Sequence, residues 1–586
     1  MSRTTCGTAT NATVPILSAV FALMLACGDG PTPSRVDPRE GTLSVLSGNH
    51  QAAEVGTLLP QPLVVLVRDL SGSPLQGVSV TLSGDAVGVE TSTDAAGRAS
   101  FRWRLLGTAR VQHVTIEAQL RSRPSVSVAV DAMPGPTEQL VRLSIISTRG
   151  FVGDEVDTIA VIPRDRYGNV ARPNLEWLVT KGGGSVRVLR PDTAHRAIWT
   201  LGSESGENEV TVQVSNVRQV FTATALREAF TPRVITVGGA HTCALTAAGV
   251  AYCWGDNGLG QLGIGQRIEL AKSATKVATN HAFVSLVAGG LHTCGLTAAG
   301  EAYCWGANYS GQLGSLGETS VPVRVGVVPP LVELVAGSYH TCGLTRDGVV
   351  YCWGDNTLGQ IGDGIDRSWA MSPGSTVTPP IAVGGALRFV SIGAAWATTC
   401  AIATTGETYC WGSNQDRELG AETATRCRIA ADPYYNKTDY DAPCSTRPVR
   451  FDVGVRLASL TAYATDWCGV SVDGEIWCWG AGLIGSRNAA PRRFSKAWIV
   501  EHAVCGLEES ASVSCWRPWS RPGVESPRPF GSTLALTDLS SSSHSCGLSR
   551  DAPREAFCWG ANYRGEIGDG TTIYRPVPRR VLPPPP

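Results

Sequence analysis

The chain has 586 residues, 43% of them hydrophobic, with 49 basic against 50 acidic side chains for a formal net charge of −1. That composition fits ordinary folded domains and excludes a design for nucleic acid or another polyanion, which needs a basic excess. The outlier is cysteine, at 18 residues.

At the N-terminus, Arg3 precedes an apolar stretch over 14–26 that only Pro15 and Ser18 interrupt, and it runs into Leu23-Met-Leu-Ala-Cys27-Gly-Asp-Gly30. The stretch is too short to cross a bilayer, and residues 1–26 read as a secretory signal. Leu-Ala-Cys with small residues about the cut resembles a bacterial lipobox. The resemblance implies that Cys27 becomes the acylated first residue and that Cys6 is removed with the signal. The protein would then be held by lipid in the cell envelope, at the outer membrane, periplasm or cell surface. Ordinary cleavage would give a secreted protein instead. Residues 27–40 form a Pro-rich tether with little to bury.

From 41 to 133, short runs alternate apolar and polar residues, as in Leu63-Val-Val-Leu-Val-Arg-Asp69 and Leu75-Gln-Gly-Val-Ser-Val-Thr-Leu82. Such runs predict a β-sandwich, with Trp103 as a core candidate. The order Pro74-Leu-Gln-Gly-Val-Ser-Val80, then Thr93-Asp-Ala-Ala-Gly-Arg-Ala99, resembles bacterial Ig-like modules of the invasin type. After the linker Met133-Pro-Gly-Pro136, residues 137–226 predict a second sandwich, in which Ile159-Ala-Val-Ile-Pro-Arg-Asp-Arg-Tyr-Gly-Asn169 echoes the first. The resemblance implies spacers that carry a functional head away from a membrane. Only residues 227–232 separate the second module from the C-terminal region, so contact between the two is expected.

Residues 230–582 are organised by a repeat. His241-Thr-Cys-Ala-Leu, a turn at Thr246-Ala-Ala-Gly249, and Tyr252-Cys-Trp-Gly-Asp-Asn-Gly-Leu-Gly-Gln-Leu-Gly263 return over 292–314 and 340–362, then in looser copies. Each copy reads as about four short strands, the content of a propeller blade. Seven copies are counted by Cys243/Cys253, Cys294/Cys304, Cys342/Cys352, Cys400/Cys410, Cys468/Cys478, Cys505/Cys515 and Cys546/Cys558. Six pairs are ten residues apart and the last is twelve apart. An even change in hairpin length keeps both cysteines on one face, so each pair reads as a cross-strand disulfide. Cys427 and Cys444 bracket an insertion over 426–445 and are expected to staple it. The rival reading, zinc, favours closer gaps such as Cys-x-x-Cys, which does not occur here. Cysteines that pair off in this way belong in an oxidising compartment.

Gly-x-x-His-x-Cys-x-Leu followed by Tyr-Cys-Trp-Gly-x-Asn-x-x-Gly-Gln-Leu-Gly resembles the regulator of chromosome condensation repeat, a seven-bladed β-propeller family. The likeness is full in copies one to three and near-full over Trp559-Gly-Ala-Asn-Tyr-Arg-Gly-Glu-Ile-Gly568. Copies four and five keep less, and copy six keeps little beyond Cys505, Cys515 and Trp516. The expected fold is all-β: a seven-bladed β-propeller following two Ig-like β-sandwiches. How the ring closes is left open. Residues 230–237 either complete the last blade or belong to the first. Pro583 to Pro586 are expected to form a solvated tail.

His241, His292, His340 and His544 recur two residues before the first cysteine of their copies. Metal binding is one reading; a structural hydrogen bond per copy is the other, because Thr398, Asp466 and Ala503 stand there in copies four to six. No metal, cofactor or catalytic residue is assigned. Trp254, Trp305, Trp353, Trp411, Trp479, Trp516 and Trp559 are expected in the core, and Asn257, Asn308, Asn356 and Asn562 are expected to tie off loops. Individuality lies in the insertion over 426–445, with Tyr434, Tyr435 and Tyr440, in the 365–380 loop, with Trp369, and at Trp519. Exposed loop aromatics suit a binding surface, and loop variation without function is the open alternative. The function expected is that of an exported, lipid-anchored protein that binds a protein or glycan and is not an enzyme. Three alternatives stand beside it: a hydrolase or lyase working in the central funnel, the guanine-nucleotide exchange known in cytosolic members of the repeat family, and inhibition of a secreted enzyme.

Overall fold

The structure, a computed structural model, describes residues 37, 39–86, 88–144, 148–156, 158–189, 194–226, 229–365, 379–423, 425–429, 440–451, 454–480, 486–487, 493–500, 503–508, 512–516, 528–529, 535–551 and 553–585. They are β-strand and connection throughout, without a helix. The chain divides into two compact units, one of residues 1–139 with 163–172, the other of residues 140–162 with 173–586.

In the first unit, a three-stranded sheet of Gly41–Ser47, Leu63–Asp69 and Arg98–Phe101 shares one core with a five-stranded sheet. The alternation of Leu63, Val65 and Val67 inward with Val64 and Leu66 between them is the period of a half-buried strand. Trp103 is buried in that core. Residues 163–172 group here rather than with the second module. Asn169 donates to the Gly107 carbonyl at 2.7 Å and accepts the Ala109 N–H at 2.9 Å.

The second unit contains a sheet of Arg149–Phe151, Val217–Leu226, Gly206–Val214 and Glu176–Lys181, packed on a core that includes Trp199 and Phe221. Seven further antiparallel sheets come after it in sequence. Their first strands are Val234–Val237, Phe283–Ala288, Leu331–Ala336, Phe389–Ala395, Leu457–Tyr463, Phe494–Val500 and Leu536–Ser541. Each first strand lies beside the next, and the seventh lies beside the first, so the sheets close into a ring. The seventh sheet supplies all four of its own strands, ending with Arg575–Arg580, and Val234–Val237 stays in the first sheet. Closure is therefore by side-chain contacts between two complete sheets, with no strand shared between them. Phe230 seats in one apolar cluster with Leu548, Ala556 and Val581 of the last sheet.

The cysteines of each copy face one another across the second and third strands. Cys243 is in register with Cys253, Cys294 with Cys304, Cys342 with Cys352 and Cys400 with Cys410. Cys468 likewise opposes Cys478, Cys505 opposes Cys515, and Cys546 opposes Cys558 despite the longer spacing. All seven pairs are disulfides with Cα separations of 4.0 to 4.1 Å, the close spacing of a non-hydrogen-bonded antiparallel pair. An eighth, Cys427–Cys444, has a wider Cα separation of 5.8 Å and joins Arg426–Ile429 to Tyr440–Phe451.

The sheets are latched by a recurring joint. The Gln261 carbonyl, in the loop after the third strand of the first sheet, accepts the Thr293 hydroxyl at 2.8 Å and the Trp305 indole N–H at 3.0 Å from the second sheet. With its proton committed to that carbonyl, the Thr293 oxygen accepts from His241 Nε2 at 2.8 Å. The Gln312 carbonyl, Thr341, Trp353 and His292 repeat the arrangement, as do the Gln360 carbonyl, Thr399, Trp411 and His340. At the closing seam the Glu566 carbonyl takes Thr242 and Trp254, and His544 bonds Thr242 at 2.5 Å. The motif glycine three residues before His241 is required by the ring itself, since a Cβ on Gly238 would meet His241 Cε1 at 2.4 Å. Where the fourth copy carries Thr398 in place of histidine, the fifth carries Trp467 in place of threonine. Trp467 stacks on Trp479 at 6.1 Å, and an apolar contact takes over from the polar latch.

One expectation is made specific and one is corrected. The second module meets the last sheet of the ring, because closure brings that sheet round beside the start of the first. The Arg580 guanidinium lies over Phe151 at 5.1 Å, and Arg579 donates to the Glu155 carbonyl at 3.4 Å. The proline tail is also tied down, as Arg149 donates to the carbonyls of Pro583 at 3.1 Å and Pro584 at 3.4 Å.

Two outcomes are expected for stability. Gly263 sits at φ +68° with its missing Cβ 2.6 Å from Trp305 Nε1. Gly263→Ala combines left-handed strain with overpacking, and chemical denaturation should show a loss of about 2–4 kcal/mol. Burial pushes the four latch histidines down, His241 and His340 to about 4 and His292 and His544 to about 3. Their folded values lie below the unfolded value, so below pH 6.5 the unfolded chain takes up protons that the fold refuses. Stability is lost as pH falls, by up to about 2 kcal/mol per histidine at pH 5. Melting temperature should therefore drop steadily between pH 7 and pH 4.5, and His292→Gln, which keeps a donor for Thr341, should make that drop shallower.

Candidate functional site: the axial cavity and its aromatic rim

The first strands turn small residues toward the ring axis, and a cavity of about 550 Å³ opens between them. Inner strands are sheet edges whose N–H groups need partners, and side chains from the preceding sheet provide them. Ser540 Oγ accepts the Val237 N–H at 3.0 Å, and Thr236 Oγ1 accepts the Ala288 N–H at 3.2 Å. Glu333 accepts the Ile392 N–H in the same way. At one end the main chain continues the pattern from sheet to sheet. Gly290 N–H donates to the Ser338 carbonyl at 3.2 Å, Ser338 to Trp396 at 3.0 Å, and Trp396 to Ala464 at 3.2 Å.

Glu333 is the single carboxylate among the described residues lining this cavity. Burial pushes it up to about 7, against the smaller opposing effect of the Ile392 N–H. Among the described residues, no second carboxylate joins it on this wall.

The end of the cavity that Ser338 and Trp396 frame is aromatic. Trp396 is 43% exposed and Tyr339 39% exposed. The loops after the third strands reach the same end, because the Ala307 N–H donates to the Leu291 carbonyl and the Asp355 N–H to that of Tyr339. The loop after the third strand of the second sheet adds Tyr309, 55% exposed. Burial and the neighbouring Glu318 carboxylate push the Tyr309 hydroxyl up, and Glu318 in turn pairs with Arg267 at 3.3 Å.

Of the loop aromatics singled out in the sequence, Trp369, Tyr434, Tyr435 and Trp519 lie outside the described residues, and Tyr440 opens the strand Tyr440–Phe451. Cys27 lies outside them as well. The repeated histidines are held in the latches. Among the described residues, no group of three or more His, Cys, Asp or Glu is placed to hold a metal ion. The repeated asparagines close their loops: Asn257 Oδ1 accepts the Leu262 N–H at 3.1 Å, and Asn308 Oδ1 the Leu313 N–H at 2.9 Å. Sequence reasoning missed Trp396 and Tyr339. The signal was present in the copies, since Trp396 stands where Gly239, Gly290 and Ser338 stand in the first three.

Residues 234–261, 283–312 and 332–360 match the regulator of chromosome condensation repeat, and residues 299–344 match a second description of it. Over 84 residues the chain is 39% identical to the probable E3 ubiquitin-protein ligase HERC4 of Rattus norvegicus, a match covering 14% of this chain and 8% of that ligase. It is 25% identical over 394 residues to the secretion-regulating guanine nucleotide exchange factor of Mus musculus, covering 58% of this chain and 81% of that protein. Among solved structures, human WBSCR16 aligns with a TM-score of 0.48 at 18% identity, over 57% of this chain and 94% of that one. Yeast RCC1 (Prp20), solved with Kap60, aligns at 0.36 and 21% identity, over 60% and 74%. Residues 234–261, 283–312 and 332–360 thus carry regulator of chromosome condensation repeats, and they lie in the first three sheets of the ring.

Proposed function

We propose that this protein is an exported, lipid-anchored binding protein. In this reading the ring of sheets is a seven-bladed propeller that recognises a protein or glycan through its aromatic end. The two N-terminal modules act as Ig-like spacers, and acylated Cys27 holds the chain to a membrane of the cell envelope. The observation that carries the reading is the presence of exposed Trp396, Tyr339 and Tyr309 at one end of a rigid scaffold. Large aromatics with a polar edge contribute much contact area at small entropic cost, as binding surfaces require. The buried disulfides favour an oxidising compartment, in keeping with the signal-like N-terminus.

The test uses the mature protein as bait against envelope proteins and an array of glycans. The expected result is a specific ligand whose retention falls at least tenfold in the Trp396→Ala, Tyr339→Ala double variant. Retention unchanged in that variant would refute the assigned surface. Radiolabelled fatty acid should enter the wild type and not Cys27→Ala, and native alkylation should label the paired cysteines only after reduction.

A second reading, guanine-nucleotide exchange on a GTPase, is favoured by the alignment to the exchange factor across 81% of its length. It requires a cytosolic protein. Free thiols at Cys243 and Cys253 together with accelerated nucleotide release would establish it in place of the first.

A further inference from the structure

We propose that the axial cavity is a binding site for a primary ammonium carried on a narrow, unbranched chain that enters at the aromatic end and reaches Glu333. The inference rests on the binding role proposed for the rim and names the chemistry of the ligand. Four features of the cavity carry it. Its wall carries hydroxyl-bearing residues, among them Thr236, Thr461, Ser540 and Ser541, between aliphatic ones such as Val335 and Leu460. Hydroxyls along the wall can accept from an ammonium or from the N–H groups of an extended chain as it passes. Glu333 is the lone carboxylate on the described wall. Its strand runs from Leu331 to Ala336, and the mouth is reached at Ser338. Glu333 therefore lies about 15 Å of strand below the opening. An extended peptide of about four or five residues spans that depth. Trp396 and Tyr339 at the mouth suit a passing cation.

The carboxyl group has an assigned structural task, holding the Ile392 N–H, and a neutral amide would serve that task equally. What an amide cannot supply is charge. Burial pushes Glu333 up to about 7, and an ammonium beside it pulls that value down. Uptake of the ligand near neutral pH then expels a proton. The strands packed against Leu331–Ala336 bring only His292 and His340 as titratable groups, and burial keeps both neutral in this range.

The ammonium has two possible sources, a free polyamine or the amino terminus of an extended protein tail. Isothermal titration of the full-length mature protein addresses both. The probes are spermine, a glycine- and alanine-rich peptide of about five residues with a free amino terminus, and the same peptide N-acetylated. Binding by spermine alone assigns a free polyamine, and binding by the free peptide assigns a protein tail; either supports the site. The acetylated peptide should not bind. Affinity should rise from pH 6 to pH 8, with proton release detected as heats that change with buffer ionisation enthalpy. Glu333→Gln should lower affinity at least tenfold at pH 8 while leaving the melting temperature at or above that of the wild type. Failure of both amines to bind, or equal binding to Glu333→Gln, would overturn the inference. It would leave the binding role standing wherever ligand retention still depends on Trp396 and Tyr339. Amine binding that requires Glu333, without any ligand captured at the rim, would have the opposite meaning.

Discussion

At five of its joints the ring depends on one carbonyl oxygen, that of Gln261, Gln312, Gln360, Glu418 or Glu566. The main chain at Gln261 leaves an acceptor in a dry seam between two sheets, and a buried acceptor without donors would cost more than the joint gains. Two donors from the next sheet, the Thr293 hydroxyl and the Trp305 indole N–H, satisfy it together. Committing the threonine proton to the carbonyl fixes the direction of the next bond, so His241 must donate through Nε2. A histidine that donates in a buried seam must stay neutral, and its depressed acidity follows from its geometry. Gly238 is then obligatory, because the imidazole lies where a Cβ would be. A single acceptor thus accounts for four of the residue types that make the repeat recognisable.

This explains how much could be read in advance. Residues that serve the joint recur at fixed spacing, so the paired cysteines, the tryptophans, the histidines and the asparagine loops were all legible as a pattern. Cys546 and Cys558 were legible even through a longer hairpin, because strand register permits only even changes. The site was not legible in the same way. Glu333 is one variation at a first-strand position occupied elsewhere by Ser285, Ser391, Ser459, Lys496 and Asp538, and its place on the axial wall appears only once the first strands are seen to converge. Trp396 and Tyr339 were hidden by attention to long insertions. A large residue replacing glycine at a repeat position was the better clue. The second module's contact with the last sheet was illegible in principle, since it joins residues far apart in sequence that meet only when the ring closes.

The loosely matching copies are instructive about what the repeat is for. Copy five has lost the threonine and copy four the histidine, yet the joint between them is filled: Trp467 stacks on Trp479, Phe451 packs on Trp479 at 4.3 Å, and Trp479 still donates to the Glu418 carbonyl at 2.9 Å. In copy six, buried Val504 stands where the threonine would be. Hydrogen bonding and apolar packing are here alternative solutions to one problem, joining two sheet faces without water between them. Divergence from the motif is therefore not loss of the fold, and the disulfide retained in each copy fixes the strand pair on which either kind of joint is built.

The seam between the seventh and first sheets differs from the other six in having no short connection of chain across it. Its closure relies on Thr242, His544, the Glu566 carbonyl and Phe230, and the clasp of Arg149 on Pro583 adds a strap from the module that precedes the ring. The strap ties the module before the ring to the far lip of that seam, so the first sheet can part from the last only if Arg149 also lets go of the C-terminal prolines.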